Sequence, residues 1–301
     1  MPTPLRAPER ILQRLEWRVV RRLDGLLQGD YRTLFRGSGI DFADLREYVP
    51  GDDVRAIDWN VTARTAVPHV REYVEDREAT AWFLLDLSPS IDFGSADGDR
   101  VKRSVLVDLV ATLASVLARR GNRVGALIDA GRGVRLVPAR SSRDQVLRLI
   151  GTLVDEPLRP ATAMTDLGPL YQAALRSIRR RGVVFAISDF IAQPGWEAPL
   201  GLLARRHDVT AIRLVDRREL ELPDVGPMIL EDAETGEQLY VDSHDPTFRR
   251  RFAEAADQRT TALAAAFRRG GIDHATVSTD DDLVHALLRM AARRRHRRLA
   301  G

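Results

Sequence analysis

A chain of 301 residues, 44% hydrophobic and 30% charged, has apolar sequence enough for one or two folded domains. It contains no cysteine, which excludes disulfides, iron–sulfur clusters and thiolate zinc sites. Its 46 basic residues almost cancel 43 acidic ones, so a net charge of +3 argues against a surface built as a whole for polyanions.

Lys102 is the single lysine, and arginine supplies the other basic residues. Biased base composition and selection for bidentate pairing both account for that. No apolar run approaches the roughly 18 residues of a membrane span. The opening MPTPLRAPER lacks a secretory leader's apolar stretch, so a cytoplasmic location is the default expectation.

In chain order, Ile11, Leu12, Leu15, Val19, Leu23, Leu26 and Leu27 repeat at helical spacing from Glu9, and Gly29 stops the helix. Residues 37–78 are rich in charge, glycine and aromatics, with a strong turn signal at Pro50-Gly51-Asp52-Asp53. Val67 to Val74 alternates weakly, as an extended strand would. Arg46, Glu47, Arg55, Asp58, Arg64, Arg71, Glu72 and Asp76 could pair into a solvated salt-bridge network of little energetic consequence. Tyr48, Trp59 and Tyr73 interleave with these arginines, which equally suits a recognition surface made by Arg46, Tyr48, Arg55, Trp59, Arg64 and Arg71.

Ala79 to Ser90 reads ATAWFLLDLSPS, an apolar run of strand length closed by Asp86, Ser88 and Ser90. Such a run fits a strand buried on both faces. Ser88-Pro89-Ser90 is also ordinary turn chemistry. A helix from Asp99 to Arg120 closed by Gly121, strands at Val124–Asp129 and Val134–Val137, and a helix from Asp144 to Val154 follow. After the proline-containing loop from Pro157, Thr165 is a candidate N-cap for a helix to Arg180. A strand at Val183–Ile187 ends in Ser188-Asp189-Phe190, and a helix (Pro199–Arg206) leads to a strand at Val209–Val215.

Glu234-Thr235-Gly236-Glu237 reads as the turn of a hairpin near 228–242. A helix over Pro246–Arg269, a strand at His274–Ser278 and a final helix opened by Asp280-Asp281-Asp282 complete the chain. Strands alternating with helices imply an α/β fold: a mostly parallel, Rossmann-like sheet with helices on both faces. Residues 1–78 would form an N-terminal helical and extended elaboration packed on a main domain over 79–301.

Asp86, Ser88 and Ser90, then Thr165, then Asp189 all follow buried strands or open helices. In such sheets the crevice beyond the strands' carboxyl ends is where ligands bind. Five short oxygen ligands suit an octahedral Mg²⁺, or Mn²⁺ or Ca²⁺ in its place, completed by water. The pattern Asp86-x-Ser88-x-Ser90, with Thr165 in MTDL and Asp189 in ISDF, resembles the metal-ion-dependent adhesion site of a von Willebrand factor A domain. The resemblance implies a metal held by these residues and completed by an acidic side chain of a partner protein. Two departures stand out: Ala163-Met164 precedes Thr165 where a glycine is common, and Phe190 follows Asp189 where many such domains have glycine.

The stretch RGSGIDFADLREYVPGDDVRAIDWNVTARTAVPHVREYVEDRE is similar to the signature of the bacterial family catalogued as domain of unknown function 58. That likeness is dense over Leu23–Ser90. It implies a non-enzymatic adaptor or co-chaperone working with a MoxR-type AAA+ ATPase. Two other classes compete. A phosphotransferase of haloacid-dehalogenase type also starts from an Asp after a buried strand, but it needs a second acid where Ser88 stands, and no downstream lysine is among the candidates. Nucleic-acid or anionic-surface binding would use Arg293, Arg294, Arg295, Arg297 and Arg298, which also suit a helix end complementing its dipole. The scattered histidines offer no zinc-like pairing.

Overall fold

Buried Leu12, Leu15, Val19 and Leu23 recur at helical spacing and tie the N-terminal segment into the main core. The computed structural model describes residues 7–26, 44–50, 52, 54, 57–72, 80–94, 100–157, 160–161 and 163–299. Within them the N-terminal segment is α1 (Ala7–Leu15), a π-helical turn (Glu16–Val20) and α2 (Arg21–Leu26). Leu27 and Gly29, expected to end this helix, lie outside the described residues.

The charged signature region holds a small antiparallel ribbon, β1 (Asp44–Glu47) with β2 (His69–Glu72), and α3 (Trp59–Thr65) between them. Asp58 caps α3 by accepting the Val61 N–H at 3.2 Å, a job its short carboxylate does well at a helix start. Of the extended stretch expected over Val67–Val74, His69–Glu72 forms β2, which pairs with β1 and bridges to Ile57 through Val70; Tyr73 and Val74 lie outside the described residues. Of the expected salt-bridge network, Arg55 and Asp76 lie outside the described residues, as do the side chains of Arg46, Arg71 and Glu72.

The main sheet comprises β3 (Thr80–Asp86), β4 (Arg123–Asp129), β5 (Val134–Arg140), β6 (Val183–Ser188), β7 (Asp208–Val215) and, past the β8 (Pro227–Glu231)–β9 (Gln238–Asp242) hairpin, β10 (Asp273–Ser278). Its strand order is β10-β7-β6-β3-β4-β5. All neighbours run parallel except β4 and β5, which are antiparallel and share an irregularity between Val124 and Ala126. A short Ala130–Gly133 connection explains this: it is long enough for a hairpin and too short for a crossover. Pro138 is tolerated in β5 because the strand lies at the sheet's edge.

Helices cover both faces. Ala81, Phe83 and Leu85 of β3 face a cluster built with α4 (Lys102–Arg119), α5 (Arg143–Val154) and α9 (Leu283–Leu299). Leu84, between them in sequence, joins the opposite cluster with α6 (Gly168–Ser177), α7 (Glu197–Arg206) and α8 (Pro246–Arg269). The period of two along a strand buried on both sides explains why β3 is continuously apolar.

Helix boundaries follow local chemistry. Ser142 accepts the Gln145 N–H at 3.1 Å and caps α5, and Gly121 at φ 81° ends α4. Asp282 accepts the Val284 N–H at 2.8 Å at the start of α9. Thr165 is not the cap expected of it: α6 begins later, at Gly168, and the threonine's polar atoms are used elsewhere. No helix among the described residues is long and apolar enough to cross a membrane.

Gly182 leads into β6, where a Cβ would meet the Thr80 carbonyl oxygen of β3 at 2.4 Å. Backbone cannot give way as a side-chain end can, so Gly182→Ala should destabilise by about 1–3 kcal/mol, the usual cost of overpacking. A chemical-denaturation midpoint indistinguishable from wild type would contradict this packing.

Candidate functional site

The sheet's connections diverge between β3 and β6: the chain leaves β3 toward β4 on one side and β6 toward β7 on the other. Such a switch point opens a crevice at the carboxyl edge. Asp86 ends β3, and Ser188 and Asp189 end β6 beside it. Asp86 accepts the Ser88 N–H at 2.8 Å through one oxygen and the Ser188 hydroxyl at 2.7 Å through the other. Ser88 and Ser90 hydroxyls lie 3.1 Å apart, and all of these side chains are buried.

The next layer brings a cation. Lys102, the first residue of α4, is fully buried; its Nζ donates to Asp189 Oδ2 at 2.7 Å and to Glu219 Oε1 at 2.5 Å. Glu219 is held there by a 3₁₀ turn, Arg217–Glu219, whose Asp216 cap accepts the Arg218 N–H while Glu219 accepts the Asp216 N–H at 2.9 Å. This reciprocal capping fixes the glutamate's other oxygen toward the lysine. Burial by itself pulls the Lys102 ammonium down, but Asp189 and Glu219 outweigh it, and its pKa stands above the usual lysine value.

A third carboxylate arrives from far along the chain. The turn between β8 and β9 inserts Glu234, 1% exposed, against the loop after β3 and the loop before α6. Its Oε1 accepts the Ser90 N–H at 3.1 Å; its Oε2 accepts the Thr165 N–H at 3.0 Å and the Thr165 hydroxyl at 2.5 Å. Asp232 shapes the turn by accepting the Glu234 N–H at 2.8 Å, and Gly236 supplies the left-handed residue at φ 75°.

Asp189 and Glu219 thus share Lys102, while Asp86 and Glu234 lie at the same edge with hydrogen bonds from neutral donors. Among the described residues Asp86 has no ion-pair partner, and burial, together with the nearby Asp189 charge, raises its pKa to about 7. Phe190, directly after Asp189, adopts φ 58°, a strained conformation for an aromatic residue. It is held there by its ring neighbours: Phe267 at 5.0 Å and Trp196 at 5.2 Å between centroids. The phenylalanine at a position where glycine is common thus does not disrupt the loop; the core holds it in the glycine-like conformation.

All five residues expected to hold a metal thus meet at one edge. Lys102, Glu219 and Glu234 were missed. Lys102, not among the candidates for the phosphotransferase alternative, contacts Asp189, and Ser88 stands where that chemistry needs an acid. Of the expected recognition surface, Trp59 is 70% exposed, Arg64 is exposed and Tyr48 is half-buried. Arg55 lies outside the described residues, and so do the side chains of Arg46 and Arg71. At the chain's end Arg293 is exposed, while the side chains of Arg294, Arg295, Arg297 and Arg298 lie outside the described set.

Asp86 and the Ser88 and Ser90 hydroxyls, 3.1 Å apart, are oxygen donors of the type a hard cation takes. Among the described residues no group of three or more His, Asp or Glu side chains could hold a metal, so coordination here would depend on the hydroxyls and water.

Residues 44–262 match the family described as "Protein of unknown function DUF58", and the chain belongs to this family. An uncharacterized protein of Mycobacterium tuberculosis is 41% identical over 290 residues, 96% of this chain and 90% of that protein. An uncharacterized protein of Mycobacterium avium is 38% identical over 167 residues, 55% of this chain and 97% of that protein. Among solved structures, an aerotolerance-related membrane protein from Bacteroides fragilis aligns with TM-score 0.45 at 16% identity, over 72% of this chain and 99% of that one. The BatB protein of Bacteroides thetaiotaomicron aligns with TM-score 0.44 at 13% identity over the same shares.

Lys102→Met should cost about 3–5 kcal/mol, because it leaves Asp189 and Glu219 buried without their cation. Urea midpoints at neutral pH measure this. For Asp86, a folded pKa of about 7 against 3.8 means the folded state holds the proton more tightly. Its contribution is fully present below about pH 4 and lost as pH rises toward 7. In EDTA, wild type should therefore lose stability relative to Asp86→Asn between pH 5 and pH 8; parallel pH profiles would contradict the assignment.

Proposed function

We propose that this member of the DUF58 family is a non-enzymatic, metal-dependent protein-binding adaptor that acts with a MoxR-type AAA+ ATPase. The observation that carries the reading is the meeting of Asp86, Ser88, Ser90, Thr165 and Asp189 at the switch point, with more buried negative charge than Lys102 neutralises. Asp86, Ser88, Ser90, Thr165 and Asp189 would hold Mg²⁺, or Mn²⁺ or Ca²⁺, directly or through water, in the manner of a von Willebrand factor A-like adhesion site. The metal would supply an open, strongly positive position for a carboxylate of the partner. This chain's residues orient the site: Ser188 fixes Asp86, and Lys102 fixes Asp189. Trp59 and Arg64, exposed on α3, would supply surrounding contacts of the kind that concentrate interface energy.

A protein-binding role agrees better with the buried Asp86 than nucleophilic catalysis does. Both its oxygens are occupied by hydrogen bonds, and its raised pKa leaves it partly protonated at neutral pH.

Mg²⁺ at a hundredfold its dissociation constant should stabilise the fold by roughly 2.7 kcal/mol. That corresponds to a rise in melting temperature of roughly 5–10 °C. Asp86→Ala should lose most of the rise, whereas equal shifts in both proteins would mark nonspecific binding. Ser88→Ala and chelation should each weaken the complex with the ATPase, and Trp59→Ala should weaken it with or without metal. Equal affinity in EDTA and for Ser88→Ala would remove the metal from the interface.

A further inference from the structure

The donors facing Glu234 form a carboxylate receptor that is complete without any metal: two backbone N–H groups, on Ser90 and Thr165, and the Thr165 hydroxyl. They come from two different loops, after β3 and before α6, so the receptor is a property of the assembled edge. The occupant comes from a third element, the β8–β9 turn. Glu234 is buried and receives all three hydrogen bonds, and among the described residues no arginine, lysine or histidine pairs with it. A buried carboxylate served only by neutral donors is an expensive way to close a hairpin. An apolar residue at the turn would do so at lower cost.

The surroundings show that this hairpin covers something. A cleft of about 1110 Å³ runs beneath it, lined by Phe93, Leu222, Met228, Leu230 and Phe252 and reaching Ser90 and Glu234. Ile229 and Leu239 also line the cleft yet are 60% and 58% exposed, and Tyr240 is 71% exposed. The hairpin's two strands pair with each other and, among the described residues, with no other sheet. Buried Val241 and the Ser243–Gly226 bonds hold its base, and Glu234 supplies the side-chain hydrogen bonds from its tip to the β3 and α6 loops.

We propose that Ser90 N–H, Thr165 N–H and Thr165 Oγ–H constitute a recognition subsite for a glutamate or aspartate side chain, filled in cis by Glu234 and available to a partner's acidic side chain when the hairpin lifts. The ligand class follows from the donors: three convergent N–H and O–H groups satisfy both oxygens of a carboxylate and cannot all be used by a carboxamide's NH₂ group. Because the hairpin is tethered to the same chain, Glu234 competes at a high effective concentration, and a free acid cannot displace it at ordinary concentrations. The Thr165 hydroxyl donates its proton to the carboxylate and keeps lone pairs for a cation, so the subsite is compatible with the proposed metal and does not require it. This inference deepens the adaptor reading and rests on it for the identity of the partner; the subsite itself is testable with no ATPase and no metal.

The experiment is chemical rescue. Glu234→Ala leaves the three donors facing a carboxylate-sized space. In EDTA, with ionic strength held by sodium chloride, sodium propionate should raise the melting temperature of Glu234→Ala by about 3 °C at tenfold its dissociation constant. Wild type, already filled, should not respond, and neither should Glu234→Ala/Thr165→Val. N-acetylglutamate N-methylamide should rescue where N-acetylglutamine N-methylamide does not. Absence of rescue in a folded Glu234→Ala protein, an equal shift in wild type, or equal rescue by the glutamine compound would each overturn the proposal. Should Glu234→Ala fail to fold, hydrogen exchange on Glu234→Gln decides. The Ser90 and Thr165 amides should exchange faster than in wild type with the sheet unchanged; unaltered protection of both would overturn it. A successful rescue with no ATPase binding would leave the subsite standing and sink only the adaptor reading.

Discussion

The arrangement at the sheet's carboxyl edge depends on one buried ammonium group. Lys102 joins the first turn of α4 to the end of β6 and to the 3₁₀ turn that follows β7, tying the helix to the loops just beyond the β6–β7 ladder. Without it, Asp189 and Glu219 would be two buried charges in close company, and each would have to take up a proton or find water. The choice of lysine in a chain that otherwise uses arginine is itself physical. A slim ammonium fits between two carboxylates in a space where a planar guanidinium would bring five donors needing acceptors. The position does what a bound cation does elsewhere, for half of the carboxylate cluster. Asp86 has no such partner among the described residues, and burial, then the neighbouring Asp189 charge, drives its pKa up to about 7; Glu219 is also raised by burial, with Lys102 working against the rise.

Much of this fold is legible in the sequence because each strand of the main sheet carries its own signal. ATAWFLLD, RVGALID and VVFAIS are short apolar runs between turn residues, and helices of the right length separate most of them. The antiparallel β5 follows from its short connection to β4, whereas the strand order does not follow from the sequence pattern. The polar ligands were legible too, since Asp86, Ser88, Ser90, Thr165 and Asp189 each sit next to a buried strand or a helix start. The occupants of the site were not. Glu234 meets Ser90 across 144 positions and Thr165 across 69, and no periodicity or spacing connects them. Lys102 did offer a clue, being the only residue of its type, yet it reads as an ordinary helix-start residue unless one asks why arginine was refused there. Thr165 misleads for a related reason: a threonine just before a helix is a reasonable cap, and only a distant glutamate diverts its hydroxyl.

The hydrophobic core and the polar edge are mechanically joined through Phe190. Its backbone sits in a conformation that costs of order 1–3 kcal/mol for a non-glycine residue. Its ring lies among Trp196 and Phe267, while Tyr171 meets Trp196 edge-on at 6.5 Å. That aromatic group spans α6, α7 and α8, so three helices on one face of the sheet determine the direction in which the chain leaves Asp189. A core substitution among these rings would thus be felt at a carboxylate it never touches.

The edge strand β5 has a bearing on how copies of the molecule meet one another in solution. Its outward side offers an incoming strand Pro138, which has no N–H to donate, and arginines at 135 and 140 that would face their own counterparts in a symmetric pairing. Its irregularity against β4 is satisfied internally, because the Gln145 amide donates to the Val124 and Pro138 carbonyl oxygens at 3.0 and 2.8 Å. A strand that lacks a donor at Pro138, and whose carbonyl there is already taken by Gln145, is a poor template for sheet extension. Crowded conditions that fuse open α/β sheets edge to edge therefore find little purchase on this side, even though Leu136 is 47% exposed there.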